Sequence, residues 1–208
     1  PRSTLFPYPT LFRSPKGLVG VENPSDIFLS ERPADSPGSI IVSSMEGSRP
    51  LLVEVQALVT SSSSIGMPRR MSAGFDHNRT SLLVAIMEKR LGLNLQGEDI
   101  FINIAGGLKI SEPAVDMGVA AAIAGSFRNR SVDPHTVMIG EVGLTGEVRS
   151  VMQLEARLAE AERLGFKKCV VPHSIKEDRL INKSSSLRLV PVKRSEERRV
   201  GKECRSRW

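Results

Sequence analysis

The sequence predicts a single α/β (or α+β) domain, because three segments carry the periodic patterns of strands and helices. Residues 51–60 alternate apolar and polar side chains, which is typical of a strand with one wet face. Residues 76–91 carry apolar side chains at helical spacing. Residues 113–127 are apolar almost throughout, apart from Asp116, so this helix should be buried. The sequence shows no internal repeat.

Turn and cap residues set the predicted limits of these elements. A turn at residues 46–50 separates the first two strands, and Asp76 or Asn78 can cap the first helix. Gly92 suits the exit of that helix, and Pro113 suits the first turn of the next one. The predicted strands are residues 39–45, 51–60, 99–105, 136–139, 168–171 and 187–192. The predicted helices are residues 76–91, 113–127 and 153–164.

The two ends of the chain are related in a way that folding does not select. When residues 1 to 14 are paired with residues 207 back to 194, every pair can be written as complementary codons. The next pair, Pro15 and Lys193, cannot. Both ends resemble translated sequencing-adapter sequence, so we predict non-native segments rather than basic tails. The predicted organisation is a non-native segment 1–14, a leading segment 15–38, a domain 39–193 and a non-native segment 194–208.

The net charge of +6 would suggest a partner such as nucleic acid, but the ends account for most of it. Residues 1–14 and 194–208 carry +2 and +3, which leaves +1 for the rest. Of the two cysteines, Cys204 lies in the C-terminal end segment. Cys169 lies among apolar residues, which predicts a core thiol compatible with a reducing compartment. No apolar run is long enough to span a membrane. We therefore expect a cytoplasmic protein.

Basic side chains between residues 69 and 90 form the candidate binding site. Arg69 and Arg70 could grip phosphates bidentately. Arg79 falls in the first turn of a predicted helix, where free backbone N–H groups favour an anion. Lys89 and Arg90 lie near the end of the same helix. A solvated helix face with capping residues explains the spacing about equally well.

The sequence predicts neither a metal nor a cofactor in this chain. A Walker A pattern is absent, so no ATPase site is expected in this piece. His77, His135 and His173 are scattered without the spacing of metal ligands, and no cysteine cluster supports zinc.

Five segments of the sequence match a known family. They are GSIIVSSMEGSRPLLVEVQALV, PRRMSAGFDHNR, MEKRLGL, AGGLKISEPAVDMGVA and IGEVGLTGEVR. Together they resemble the C-terminal, Lon-protease-like domain of the bacterial RadA (Sms) DNA-repair proteins, over nearly all of residues 16–193. The resemblance implies a fold similar to the Lon proteolytic domain and related to the ribosomal S5 domain 2-like fold.

The resemblance also locates the Ser–Lys dyad of Lon-type peptidases. The serine position falls at Ala114 in EPAVD, and the lysine position falls at Glu155 in MQLEAR. A methyl group cannot attack a carbonyl, so we expect a vacant site and no enzymatic activity in this chain. An alternative is an active Ser–Lys peptidase that uses a displaced pair, Ser111 with Lys109.

What surrounds the domain is likewise implied by the resemblance. RadA-like proteins carry a zinc finger and a RecA-like ATPase, so Zn²⁺, ATP and Mg²⁺ are expected in parts of the parent that this chain lacks. The chain is then a fragment of an ATP-driven motor that promotes branch migration. We expect it to support ring assembly, as a hexamer of the parent. We also expect it to contact single-stranded or branched DNA through Arg69, Arg70, Arg79, Lys89 and Arg90. A purely structural oligomerisation domain is a third alternative.

Overall fold

Strands and helices alternate along most of the chain in the computed structural model, which describes residues 10–14, 17–21, 25, 29, 35–62, 67–174 and 186–194. The strands are β1 (Thr10–Ser14), β2 (Gly17–Val21), β3 (Ser39–Glu46), β4 (Arg49–Ser61), β5 (Arg70–Ala73), β6 (Glu98–Ile104), β7 (Thr136–Met138), β8 (Glu141–Val142), β9 (Val148–Arg149), β10 (Lys168–Pro172) and β11 (Arg188–Val192). The α-helices are α1 (His77–Leu91), α2 (Asp116–Phe127) and α3 (Leu154–Arg163).

A mixed, mostly parallel sheet forms the centre of the described part of the molecule. Its seven strands lie in the order β11-β10-β7-β3-β4-β6-β5. Only β4 runs antiparallel to its neighbours β3 and β6, and the other pairings are parallel. The predicted α/β class is therefore confirmed at this level.

Helices cover the sheet on both faces. α1 and α2 pack on one face, where Leu83 and Ile123 join a core with Val55 and Ile102. α3 packs on the other face, where Leu158 lies in a smaller core with β3, β7 and β10. The predicted burial of α2 is confirmed, because most of its residues are buried. Among the residues that the structure describes, no helix is long and apolar enough to cross a membrane.

The small residues of α2 allow close contact with the sheet and with the loop that follows the helix. A Cβ added to Gly118 would lie 2.1 Å from Val42 Cγ1, and one added to Gly125 would lie 2.9 Å from the carbonyl oxygen of Arg130. Such distances leave no room for a side chain. The Ala- and Gly-rich composition of this segment therefore has a packing cause.

The termini of α1 follow the predicted signals. The Asp76 carboxylate accepts a hydrogen bond from the Arg79 backbone N–H at 2.7 Å, so the structure selects Asp76 over Asn78 as the cap. Gly92 takes the left-handed conformation, with φ of 64°. β1 pairs with β2, so residues 10–14 of the predicted non-native segment form a hairpin with the leading segment. Residues 1–9 and 195–208 lie outside the described residues, and the adapter origin stays a prediction.

Candidate functional site

The β5–α1–β6 unit gathers most of the predicted basic residues at one end of the sheet. β5 and β6 are parallel neighbours, so α1 runs back between them and ends beside the starts of both strands. The Arg70 guanidinium Nη2 donates to the Leu95 carbonyl oxygen at 3.3 Å, which joins the start of β5 to the segment after α1. Lys89 and Arg90 occupy the last turn of α1. We call this end of the molecule the basic end.

Arg69 and Arg70 differ in their surroundings because side chains alternate across a strand. Arg69 is exposed, and its backbone N–H donates to the Asp99 carboxylate at 2.7 Å. Arg70 is half-buried, and its Nη1 is buried without a hydrogen-bond partner among the described residues. Buried guanidinium nitrogens normally have partners, so this atom retains capacity for an acceptor.

Lys89 and Arg90 are exposed at the C-terminus of α1. Cations in this position stabilise a helix through its dipole without any ligand. Their placement alone therefore fits a binding role and a structural role equally well.

Two further arginines, which the sequence reading did not single out, lie at the basic end. Arg128 and Arg130 are exposed just after α2. The Ser126 hydroxyl near the end of α2 accepts from the Val59 backbone N–H at 2.9 Å. Val59 is paired with Ile100, which is paired in turn with Arg70. The signal in the sequence is the short run FRNRS, but only the sheet pairing places it near Arg70.

Arg79 lies apart from the other predicted site residues, at the opposite end of α1. Its Nε donates to the Asp116 carboxylate at 3.0 Å, and its Nη2 donates to the same carboxylate and to the Val142 carbonyl oxygen. Asp116 also accepts from the Val142 N–H at 3.1 Å. Burial raises the pKa of the Asp116 carboxyl, and the bonds from Arg79 and Val142 oppose that rise. Arg79 thus links the first turn of α1 to the start of α2 and to strand β8.

The two dyad positions of the resemblance have different environments. Ala114 is buried in a short 3₁₀ turn, and its carbonyl oxygen accepts from the Gly140 N–H at 2.8 Å. Glu155 is exposed in the first turn of α3. Ala114 therefore holds the start of the β8–β9 hairpin through its backbone.

Lys109 and Ser111 line a cleft together with Ser44, Met45 and Glu112. Both are exposed. One wall of the cleft is anchored by Glu112, which pairs with the fully buried Arg157 and accepts from the Met45 N–H at 3.0 Å. Lys109 and Ser111, the alternative Ser–Lys pair, therefore lie on the same cleft.

The described residues contain no group of three or more His, Cys, Asp or Glu side chains that could hold a metal ion. Cys169 is fully buried, and burial raises the pKa of its thiol. The thiol therefore stays neutral in the core, as its apolar sequence setting predicted.

Comparison with known families defines the class of the protein first. Residues 55–175 match the family model described as Subunit ChlI of Mg-chelatase. The match runs from within β4 to just beyond β10 and covers more than half of the chain, so the chain belongs to this family.

Individual relatives give a narrower identification. The chain is 55% identical over 156 residues to the "DNA repair protein RadA" of Halalkalibacterium halodurans, and 55% identical over 157 residues to that of Bacillus subtilis. Identity to the protein of the same name from Streptococcus pneumoniae is 51% over 156 residues. These matches cover 75%, 76% and 75% of the chain, but only 34%, 34% and 37% of the relatives. The chain is a RadA family member that spans about a third of the length of these relatives.

One prediction is corrected by the family match. We expected a chain without enzymatic activity, with the ATPase part of the parent elsewhere. That expectation is wrong, because residues 55–175 match the model of a subunit of an enzyme, Mg-chelatase. Ala114 and Glu155 bear on Ser–Lys chemistry alone, so their identity never excluded another activity.

The match to ChlI also suggests nucleotide and Mg²⁺ binding. The sequence has no Walker A pattern, and the described residues offer no cluster of metal-binding side chains. The function proposed below therefore rests on the basic side chains alone.

Proposed function

We propose that this chain is a DNA-binding part of a RadA-type DNA repair protein, and that it contacts DNA through the basic end. The observation that carries the proposal is the gathering of separate basic residues at one end of the sheet. They are Arg69, Arg70, Lys89, Arg90, Arg128 and Arg130. The names of the relatives, "DNA repair protein RadA", support the choice of DNA as the polyanion.

The physical basis is attraction between side-chain cations and phosphates. Arg69, Lys89 and Arg90 are exposed, so phosphates can approach them without a rearrangement of the core. Contacts of this kind are largely independent of base sequence and weaken with salt.

The N-terminus of α1 is not included in this surface. The Asp76 carboxylate already occupies the place of an anion there, and the Arg79 guanidinium is turned inward to Asp116. A phosphate would meet an acidic cap at this position instead of free N–H groups. The sequence-based proposal of an anion site at the start of the helix is therefore replaced by one beside its end.

For the whole protein, we propose the finer features that the resemblance implies. These are a Lon-like arrangement of this domain, assembly of the parent into a hexameric ring, and an ATP-dependent motor that acts on branched DNA. The mixed sheet with helices on both faces is compatible with the first.

The experiment compares two double variants that each remove two positive charges. Arg69→Ala/Arg90→Ala changes the basic end, and Lys109→Ala/Arg149→Ala changes exposed residues at the opposite end of the sheet. Affinity for a fluorescent oligonucleotide is measured by anisotropy at low salt, in the 208-residue chain and in the full-length parent. We expect the first variant to bind at least about tenfold more weakly, since hydrogen bonds to charged groups contribute about 1.5–3 kcal/mol each.

Equal losses in the two variants would show that only total charge matters and would contradict a localised surface. No loss in either variant would contradict DNA binding by this domain. A change in oligomer size with unchanged DNA affinity would favour the structural alternative, in which these arginines form contacts between subunits.

A further inference from the structure

The face of the sheet opposite α1 and α2 carries an open apolar row beside the basic end. Leu58 of β4 is paired with Phe101 of β6, and Phe101 is paired with Met71 of β5. Paired residues on neighbouring strands point to the same face, so these side chains form one row across three strands. Leu58 and Met71 are each 58% exposed, and Phe101 is partly exposed.

The rows on either side of it are polar. Gln56 and Asn103 form the next row toward the other end of the sheet, and the Asn103 side chain donates to the Gln56 side chain at 3.2 Å. On the side of the basic end, Thr60 is paired with Asp99, whose carboxylate accepts from the backbone N–H of Arg69 just before β5. The apolar row thus lies between the side-chain amides on one side and Thr60, Asp99 and the exposed Arg69 on the other.

We propose that this open face, which we call the platform, binds unpaired bases of single-stranded DNA. The proposal rests on the function proposed above and adds the surface on which the unpaired bases lie. An aromatic ring on a sheet with a neighbouring cation is the arrangement on which unpaired bases stack, while the cation holds the backbone. Asn103 and Gln56 supply donors and acceptors for base edges.

Two features favour single-stranded DNA over other occupants. In a duplex, the base faces are stacked on one another, so they are not available to stack on the side chains of the platform. A second protein chain would need about 800 Å² of buried surface per partner, whereas this row is three side chains wide, or about 10 Å, and is bordered by polar rows.

Arg70 strengthens the link between the platform and the basic end. It lies on β5 next to Met71, but its side chain points to the α1 side of the sheet. Its Nη1 is buried and has no hydrogen-bond partner among the described residues. Because side chains alternate along an extended chain, Arg69 follows the platform side, so a DNA backbone that leaves the platform over this edge meets the exposed Arg69.

The test measures binding of an oligo(dT) and of a duplex of the same length, by anisotropy, with the 208-residue chain. The variants are Phe101→Leu, which keeps apolar bulk but removes the ring, and Met71→Gln, which changes an exposed side chain. We expect their combination to weaken oligo(dT) binding roughly fivefold or more, because stacking of a base on an aromatic ring has about that effect or a larger one. Duplex affinity should stay within about twofold. Met152→Gln, at a side chain that is 82% exposed on another surface, is the matched control.

The outcomes separate this proposal from the one on which it rests. If Arg69→Ala/Arg90→Ala weakens oligo(dT) binding but Phe101→Leu/Met71→Gln does not, the platform is wrong and the basic end stands. If neither variant affects DNA binding, both fail. Equal losses for oligo(dT) and duplex, or an altered oligomer size at unchanged DNA affinity, would also overturn the platform. Met71→Gln alone keeps the test valid if Phe101→Leu fails to fold.

Discussion

Arg79 illustrates how the role of a single residue depends on its partner. Its position in the first turn of a helix suggested an anion contact, because free N–H groups point out of that turn. The structure instead directs its guanidinium to Asp116, which is 0% exposed. Asp116 is 37 residues away along the chain, so local spacing could not indicate this pairing. The polar interruption of an otherwise apolar helix was visible in the sequence, but its partner was not.

Loss of Asp116 should be costly because it leaves Arg79 without its counter-charge. We expect Asp116→Ala to lower the free energy of unfolding by about 1–3 kcal/mol, because the Arg79 guanidinium that loses its acceptor is partly exposed and the Val142 N–H loses its acceptor as well. Arg79→Met/Asp116→Leu should recover most of this loss, since an apolar pair of similar volume avoids the desolvation of both charges. Chemical denaturation monitored by circular dichroism measures both. A loss below about 1 kcal/mol in Asp116→Ala would show that solvent screens the pair.

The elements differ in how far the sequence could predict them. α1 and the longer strands were predicted within a few residues, because caps, turns and periodicity lie within each segment. β5 was missed, since a four-residue strand in a basic segment has no pattern of its own. Its existence depends on pairing with β6, about 30 residues later, and the platform depends on β5. The candidate surface was thus less predictable than the fold that carries it.

The cap of α1 gives a test at this scale, because the sequence offered two candidates and the structure uses one. Asp76 accepts from the Arg79 N–H, and its loss leaves that donor unsatisfied. We expect Asp76→Ala to lower the free energy of unfolding by about 1 kcal/mol. Asn78→Ala, an exposed neighbour in the same turn, should stay within about 0.5 kcal/mol. Urea denaturation of the two variants compares them directly, and equal losses would contradict the assignment of the cap.

At the scale of the whole molecule, the position of charge matters more than its total. Residues 15–193 carry a net charge of only +1, which by itself would not suggest a nucleic-acid partner. The fold places basic residues together, because strands β5 and β6 begin at the end of the sheet where helices α1 and α2 end. Basic residues from three separate segments thereby meet at one end. The family could be recognised from motifs, whereas this placement required the order of the strands.

The gathering of cations at one end leads to a prediction about the salt dependence of DNA affinity. The slope of this dependence measures the number of phosphate contacts separately from their strength. For single-stranded DNA, the slope of log affinity against log salt is about −0.7 per neutralised phosphate, so one contact from each of the six cations of the basic end would give about −4.2. Arg69→Ala/Arg90→Ala should reduce the steepness by about 1.4, and Lys109→Ala/Arg149→Ala should leave it unchanged. Titrations at several salt concentrations give the slopes. An affinity loss without a change of slope would mean that Arg69 and Arg90 act by holding the shape of the surface and not by neutralising phosphates.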